Sequence, residues 1–189
     1  MDDGPAIRLR PHEIALLRGG PRAAVTVAVV ALHLKGMMVA GPAGFLHPPV
    51  SDAVELPPLE AAVHASLEQQ PCTLRELAKR PDVRLAVALM RVPLAEAGLL
   101  RYPFLGPTRT ARLRLRDLRR GLPVPRSGRG LTDHAKLLAV ALHGEAGLRA
   151  VVPRFALRAG LIRRVEGADR GLLRHTGRNP YSGGGDAGD

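Results

Sequence analysis

The apolar positions near the N-terminus predict two helices joined at a glycine pair. Residues 14–17 are apolar, and Pro11 suits the first turn of their helix because its missing N–H would have no partner there. Gly19 and Gly20 are expected to end this helix, since glycine readily adopts the left-handed backbone of a helix stop. Pro21 then occupies the first position of a second helix. We therefore treat Gly19, Gly20 and Pro21 as a structural turn.

The second helix, residues 22–35, is apolar around most of its surface, which predicts that it is buried. Its valine-rich run would also suit a strand, but its length favours a helix. Residues 37–47 then read as strand, Gly/Pro turn and strand. Helix, glycine turn, helix and hairpin is the order of a winged helix-turn-helix. Residues 9–47 are therefore predicted to form a first winged-helix-like unit.

A similar order returns after a proline-rich linker. Leu59, Val63 and Leu67 lie four residues apart and predict a helix that begins after Pro58. Thr73 and Glu76 have the spacing of a capping box, in which each side chain pairs with the other residue's backbone N–H. A second helix is therefore expected to begin beside Thr73.

A third helix is expected over residues 82–97, capped by Asp82 and kinked at Pro93. Its apolar positions include Val83, Leu85, Leu89 and Val92. A short strand at 99–102 and a turn at Gly106 and Pro107 follow it. Residues 58–105 are therefore predicted to form a second winged-helix-like unit.

The rest of the chain predicts more helix. Residues 108–121 have apolar positions at helical spacing between arginines and are expected to form a basic amphipathic helix, although the alternation over 112–116 would also suit a strand. Residues 131–163 are expected to form a C-terminal helical pair, in which Gly144 and Gly147 either weaken the first helix or let another backbone approach closely. A flexible leader at 1–8 and a disordered tail at 166–189 complete a mainly α fold.

Composition points to a core of small aliphatic side chains and to anionic partners. Of the 189 residues, 46% are hydrophobic but only 3% are aromatic, which suits close-packed helices rich in Ala, Leu and Val. The chain has 28 basic and 17 acidic residues, for a formal charge of +11. Such a charge favours nucleic acid, anionic lipid or acidic protein faces, whereas the alternative is that much of it is solvated surface.

The single cysteine, Cys72, excludes an internal disulfide and fits a reducing compartment. The acidic N-terminus lacks the order of a secretory signal peptide. The longest apolar helical run, residues 23–34, is about half the length that a bilayer requires. We expect a cytoplasmic protein, with a peripheral position at the inner face of the membrane as the second expectation.

No pattern of catalytic or metal-binding residues stands out in the sequence. The seven histidines show no metal-ligand spacing with a nearby carboxylate, and no serine has a nucleophile-elbow context. Cys72 has only Arg75 as a nearby positive charge, so a reactive thiolate is not indicated. We expect a non-enzymatic protein with no catalytic residues, metal, cofactor or small-molecule substrate.

Three kinds of partner remain open. The first is nucleic acid, with residues 82–97 as a recognition helix that exposes Arg84, Val87 and Arg91 on one stripe. Few base-reading side chains lie on that helix, so binding would be sequence-tolerant. The candidate anion-binding residues are Arg84, Arg91, Arg101, Arg109, Arg112, Arg116, Arg119 and Arg120.

The second kind of partner is an anionic membrane surface. The helix over 108–121 presents an apolar stripe of Leu115, Leu118 and Leu122 edged by arginines, as an interfacial helix does. The structural alternative is that this stripe packs on the core. The third kind is a protein partner bound through an apolar patch, because winged-helix units also serve in protein interactions.

The segment Leu17-Arg18-Gly19-Gly20-Pro21-Arg22 resembles the signature of an uncharacterised family of actinobacterial, largely streptomycete, membrane proteins. The likeness extends through residues 58–63 and 94–100 and covers roughly residues 9–105. Many members carry membrane-spanning helices after this domain, where this chain has its Arg-rich segment instead. The family has no established activity, so the resemblance implies no catalytic residue.

Residues 133–161 also resemble, more weakly, the C-terminal helices of bacterial relatives of the Golgi phosphoprotein fold. That likeness implies an ability to bind phosphoinositide head groups. The principal expectation is a protein of unknown function that acts as a binding or scaffold module and engages a polyanion or a protein through a basic surface. A winged-helix DNA-binding regulator and a peripheral anionic-lipid-binding protein are the alternatives.

Overall fold

The computed structural model describes residues 9–48, 55–101 and 106–162. Of these residues 67% are helical, in eight α-helices accompanied by short antiparallel strands, which confirms the prediction of a mainly α fold. The predictions of a flexible leader at 1–8 and a disordered tail at 166–189 lie outside the described residues. The finer prediction of two winged-helix units in tandem is not confirmed.

Helix α1, Pro11–Leu34, contains the predicted glycine break. Gly19 and Gly20 leave the helical conformation, with φ values of −139° and +73°, and Pro21 begins the second half of the helix. Because Pro21 stands at the first position of the second half, its missing N–H costs no helical hydrogen bond, and Gly20 supplies the positive φ of the turn before it. The two predicted helices are therefore separated by a sharp turn, and the second folds back on the first, since His12 and Lys35 both reach the Glu60 carboxylate.

The second half of α1 is the centre of the core. From Ala24 to Leu32 every residue except Thr26 is buried, so the valine-rich run forms a helix and not the alternative strand. Around it pack α2, α4, α5 and α6, whose bounds follow. A helix that is apolar on all sides needs such neighbours, and the small Ala and Val side chains let them come close.

The predicted hairpin follows α1. Strand β1, Val39–Ala40, and strand β2, Phe45–His47, pair antiparallel across a short 3₁₀ turn at Pro42–Gly44. A third strand, β3 at Cys72–Thr73, adds to the other side of β2 with Leu46 opposite Cys72. The two segments that the sequence predicts as separate units therefore share one sheet.

The second segment contains α2 (Pro58–Gln69), β3, α3 (Leu74–Leu77), α4 (Pro81–Glu96) and the strand pair β4 (Leu100–Arg101) and β5 (Gly106–Pro107). The capping box at α3 is present. The backbone N–H of Thr73 donates to Glu76 Oε2 at 2.9 Å, and the Glu76 N–H donates to Thr73 Oγ1 at 3.4 Å. Helix α3 is a single turn that begins directly after Thr73, as predicted, and ends at Leu77.

Helix α4 begins at Pro81 rather than at a cap on Asp82, and it continues through Pro93 to Glu96. Of the four apolar positions expected on it, only Val83 is buried. The buried face is formed instead by Val83, Val87 and Leu94, which follow helical spacing toward α1 and α2. Leu85, Leu89 and Val92 lie on the outer face and are 60%, 62% and 53% exposed.

The C-terminal helices are α5 (Arg109–Gly121), α6 (Asp133–His143), α7 (Glu145–Val151) and α8 (Pro153–Arg158). The predicted helix at 108–121 is confirmed, and its alternative as a strand is wrong. The predicted pair at 131–163 is three helices, because Gly144 turns the chain with φ +60°. At Gly147 a Cβ atom would overlap the Ala139 carbonyl, so this glycine lets α7 approach α6 closely.

By length and composition α1 could cross a membrane, and most of its most apolar stretch is buried inside the protein. That burial is also the property of a helix at the centre of a core. The prediction of no membrane-spanning helix stays a prediction.

Candidate anion-binding surface

Helix α5 presents the densest line of positive charge. Its Thr108 cap accepts the Ala111 N–H at 3.2 Å and donates to the Gly98 carbonyl at 2.9 Å, which ties the start of the helix to the end of α4. Ala111 and Leu115 are buried, and Leu118 packs half-buried against the same core. With its apolar side used for packing, the opposite side of α5 faces solvent.

Four arginines lie on that solvent side at intervals of three and four residues. Because such spacing follows the helical repeat, they form one line about 16 Å long at 1.5 Å per residue. All four are exposed. We call the set the α5 arginine stripe: Arg109, Arg112, Arg116 and Arg120.

Little negative charge opposes the stripe. Asp117 is the acidic residue within α5, and its Oδ1 lies 3.6 Å from Arg120 Nη1 with both side chains 67% exposed. A pair so exposed contributes at most about 1 kcal/mol and exchanges readily with solvent. Arg112 Nη2 donates to the Pro107 carbonyl at 3.2 Å, which steadies that guanidinium and leaves further N–H groups for a ligand.

Arg119 does not belong to the stripe, although the sequence placed it among the anion-binding candidates. Its Nε donates to the Leu142 carbonyl at 2.9 Å, at the C-terminal end of α6. Arg18 reaches the same helix end, and its Nε donates to the Ala141 carbonyl at 2.6 Å. The last carbonyls of a helix carry partial negative charge, so two arginines can hold this end in place of a capping side chain.

Arg18 is a residue that sequence reasoning missed. It is half-buried, and burial, followed by the nearby charge of Arg119, lowers the pKa of its guanidinium below the ordinary value. A Cβ atom at Gly144 would lie 2.6 Å from Arg18 Nη1. The only indication of this role in the sequence was that Arg18 directly precedes the glycine break. The helix that its side chain contacts lies far away in the sequence.

The predicted recognition stripe on α4 is only partly present. Arg84 is exposed and Arg91 is partly exposed, but Val87 is buried, with 3% exposure, and does not share an exposed stripe with them. Arg84 and Arg91 line a groove of about 630 Å³ whose other wall includes Pro21 and Val25 of α1. The structure therefore brings these two arginines beside the glycine break and not beside the α5 stripe.

Arg101 ends strand β4 and is exposed. Strand β5 occupies Gly106 and Pro107, where the sequence predicted a turn, and residues 102–105 lie outside the described residues. Arg101 is thus placed opposite Gly106 in this strand pair.

Most of the apolar stripe that the interfacial-helix alternative requires is packed inside the protein. Leu115 is 5% exposed within the core, and Leu118 packs against it, so neither can enter a bilayer while α5 stays docked. Leu122 and Leu113 are 43% and 45% exposed, and Leu113 lies among the stripe arginines. Two of the three stripe residues, Leu115 and Leu118, therefore pack on the core, and Leu122 does not.

A buried carboxylate connects α1 and α2. Glu60 is 2% exposed, its Oε2 accepts from Lys35 Nζ at 2.6 Å, and His12 Nε2 lies 3.3 Å from its Oε1. Burial raises the pKa of Glu60, but the hydrogen bonds and charges of His12 and Lys35 outweigh it and hold that pKa below its ordinary value. The cluster holds Glu60 of α2 against His12 and Lys35, which lie near opposite ends of α1.

Cys72 is buried in strand β3. Burial raises the pKa of its thiol despite the nearby Arg80, which disfavours a reactive thiolate. Within the described ranges, no group of three or more His, Cys, Asp or Glu side chains could hold a metal ion.

A scan of protein-family models, a search of curated proteins and a search of solved structures each found no match to this chain. What the protein binds must therefore be argued from its own side chains.

Proposed function

We propose that this protein is a non-enzymatic binding module that holds a phosphate-rich polymer on the α5 arginine stripe. The observation that carries the proposal is the one-sided burial of α5. Because Ala111 and Leu115 fix the helix to the core, its arginines are presented in a line on a rigid element.

The chemistry of the stripe suits a phosphate backbone. A guanidinium can donate two parallel N–H bonds to one phosphate and stays charged at any physiological pH. Among the four stripe residues and their neighbours on α5, few side chains could read base edges, so the binding would be electrostatic and sequence-tolerant. A nucleic acid is favoured over a membrane because the apolar side of α5 is already buried.

A protein partner is the second candidate, and the outer face of α4 favours it. Leu85, Leu89 and Val92 are exposed on one side of this helix, beside Arg84 and Arg91. A surface with an apolar centre and arginines at its edge is typical of protein interfaces.

A winged-helix DNA-binding role for α4 has support in the order of elements. Residues 58–107 run helix, strand, helix, helix, strand, strand, as a winged helix does. However, β3 pairs with β2 rather than with β4 or β5, and the outer face of α4 is largely apolar. This role therefore ranks below the other two, and a cytoplasmic location suits all three.

The test of the stripe compares two variants that lose equal charge. One replaces Arg109, Arg112, Arg116 and Arg120 by Gln. The control replaces four exposed cations elsewhere by Gln, and these are Arg22, Arg75, Lys79 and Arg158.

Binding to a random-sequence DNA duplex is measured over a range of salt concentrations, beside anionic vesicles. The wild-type affinity should fall steeply with salt, and the stripe variant should reduce the slope of log affinity against log salt by about 3 to 4. Equal slopes for the stripe and control variants, or no DNA binding by the wild-type protein, would contradict the proposal.

A further inference from the structure

A second concentration of positive charge lies in a cavity formed by other elements than α5. The cavity has a volume of about 550 Å³ and opens between the end of α1, the loop before α6 and the α7–α8 junction. Its lining includes His33, Arg129, Lys136 and Arg154, and none of its described lining residues is Asp or Glu. We call this the basic cavity.

A close backbone approach builds one wall of the basic cavity. A Cβ atom at Gly128 would lie 2.7 Å from the Val151 carbonyl oxygen and 3.1 Å from Val151 Cα. Only glycine therefore lets this loop rest directly on the end of α7. The contact places Arg129, the next residue, in the lining of the cavity, which Arg154 of α8 also lines.

An immobilised ring forms another wall. The imidazole of His33 stacks on the buried ring of Phe155, with centroids 3.7 Å apart and planes within 5°. Its Nδ1 lies 3.2 Å from the Met38 carbonyl oxygen, which can only accept, so Nδ1 carries a proton. Because stacking holds one face of the ring and the Met38 carbonyl holds Nδ1, Nε2 is the polar atom of His33 that remains available to bind a ligand.

The cations of the cavity are weakly compensated. Lys136 Nζ donates to Asp133 Oδ1 at 2.8 Å, and that carboxylate is 60% exposed to solvent and outside the cavity lining. Arg129 and Arg154 are exposed and extend the positive charge of Lys136. Three cations around one concave surface raise the local potential, and a compact anion would relieve their mutual repulsion.

We propose that the basic cavity binds a small phosphate-bearing anion. Arg129 and Arg154 donate N–H groups to its oxygens, Lys136 supplies a point charge, and the His33 ring closes the side of the site. A multiply charged oxyanion fits best, since a singly charged carboxylate would leave most of the positive charge unmatched. This site uses no residue of the α5 stripe and does not depend on the proposed function.

The experiment is a calorimetric titration of the full chain with inorganic pyrophosphate, alongside the variant Arg129→Gln/Arg154→Gln. The matched control is Arg126→Gln/Arg158→Gln, which removes the same charge from the same loop and the same helix outside the cavity lining. The wild-type protein and the control should bind saturably, and the cavity variant should lose affinity about tenfold or more. No saturable binding by the wild-type protein, or equal losses in both variants, would overturn the proposal.

Two further arms identify the source of the phosphate and separate this site from the stripe. If the natural ligand carries its phosphate on a lipid, phosphatidylcholine vesicles that contain phosphatidic acid should displace pyrophosphate. If the natural ligand is a soluble molecule, the vesicles should leave pyrophosphate bound. The proposal expects one of these two results, and which one is observed identifies the source of the phosphate. The stripe variant should keep its pyrophosphate affinity within about twofold. A loss as large as that of the cavity variant would instead assign pyrophosphate binding to α5 and overturn the cavity site.

Discussion

Arg18 and Arg119 donate to consecutive carbonyls at one helix end. Arg18 Nε lies 2.6 Å from the Ala141 oxygen and Arg119 Nε lies 2.9 Å from the Leu142 oxygen. The two guanidiniums come from α1 and α5, so three helices meet at this point. The partial negative charge of the helix end attracts both cations, while the charge of Arg119 repels that of Arg18.

We expect Arg18→Met to destabilise the fold by about 1.5–3 kcal/mol, because it removes a charged hydrogen bond to a half-buried carbonyl. Urea unfolding followed by circular dichroism measures this free energy. Arg22→Gln, at an exposed position four residues later, should change it by less than about 0.5 kcal/mol. Equal effects of the two changes would show that the Arg18 bond contributes nothing.

Gly144→Ala should cost more than the backbone strain of its φ +60°, ψ −121° conformation alone, which is about 1–3 kcal/mol. The added Cβ would lie 2.6 Å from Arg18 Nη1, so the guanidinium must move off the helix end. Combining Gly144→Ala with Arg18→Met should therefore cost less than the sum of the single changes, measured as a double-mutant cycle. Gly160→Ala, where φ is +62° and no atom lies within 4 Å, should add to Arg18→Met without coupling. An additive Gly144–Arg18 cycle would contradict the contact.

Glu60 should make stability depend on acid pH. Its pKa is lower in the folded state, so the carboxylate stabilises the fold above its ordinary pKa of 4.5, and this contribution is lost as pH falls through the folded value. Glu60→Gln should be destabilised by about 1–3 kcal/mol at pH 7. The difference in urea midpoint between the variant and the wild-type protein should shrink as the pH falls below 4.5. A difference that is constant with pH would contradict an ionised Glu60.

The two leucines of α5 should behave in opposite ways. Leu115→Ala opens a core cavity and should cost about 2–5 kcal/mol, whereas Leu113→Ala, at a position 45% exposed, should cost less than about 0.5 kcal/mol. Thermal melts of both variants check this. If Leu113→Ala also abolished vesicle binding, the helix would contact membranes through its outer face, contrary to the nucleic-acid proposal.

Local patterns predicted most of the elements. Apolar spacing, Pro11 and Pro58 at helix starts and the Thr73–Glu76 capping box placed the beginnings of α1, α2 and α3 correctly, because each of these signals acts within a few residues. The Gly19–Gly20 break was predicted for the same reason. Apolar positions alone did not predict the inner face of α4, since that helix has apolar residues on two faces.

Contacts between distant residues were beyond the sequence. The pairing of β3 with β2 joins Leu46 and Cys72 through two-residue and three-residue strands, which carry almost no pattern. The role of Arg119 also depends on where α6 ends in space. The sequence alone does not distinguish an arginine that caps a distant helix from an arginine that is free to bind a ligand.

The shared sheet has a consequence for any attempt to divide the chain. Cutting between His47 and Pro58 would leave β2 with an unpaired edge in one fragment and would take α1 away from α2 and α4 in the other. Neither half carries a complete interior of its own. The two predicted units should therefore unfold together in a single cooperative transition.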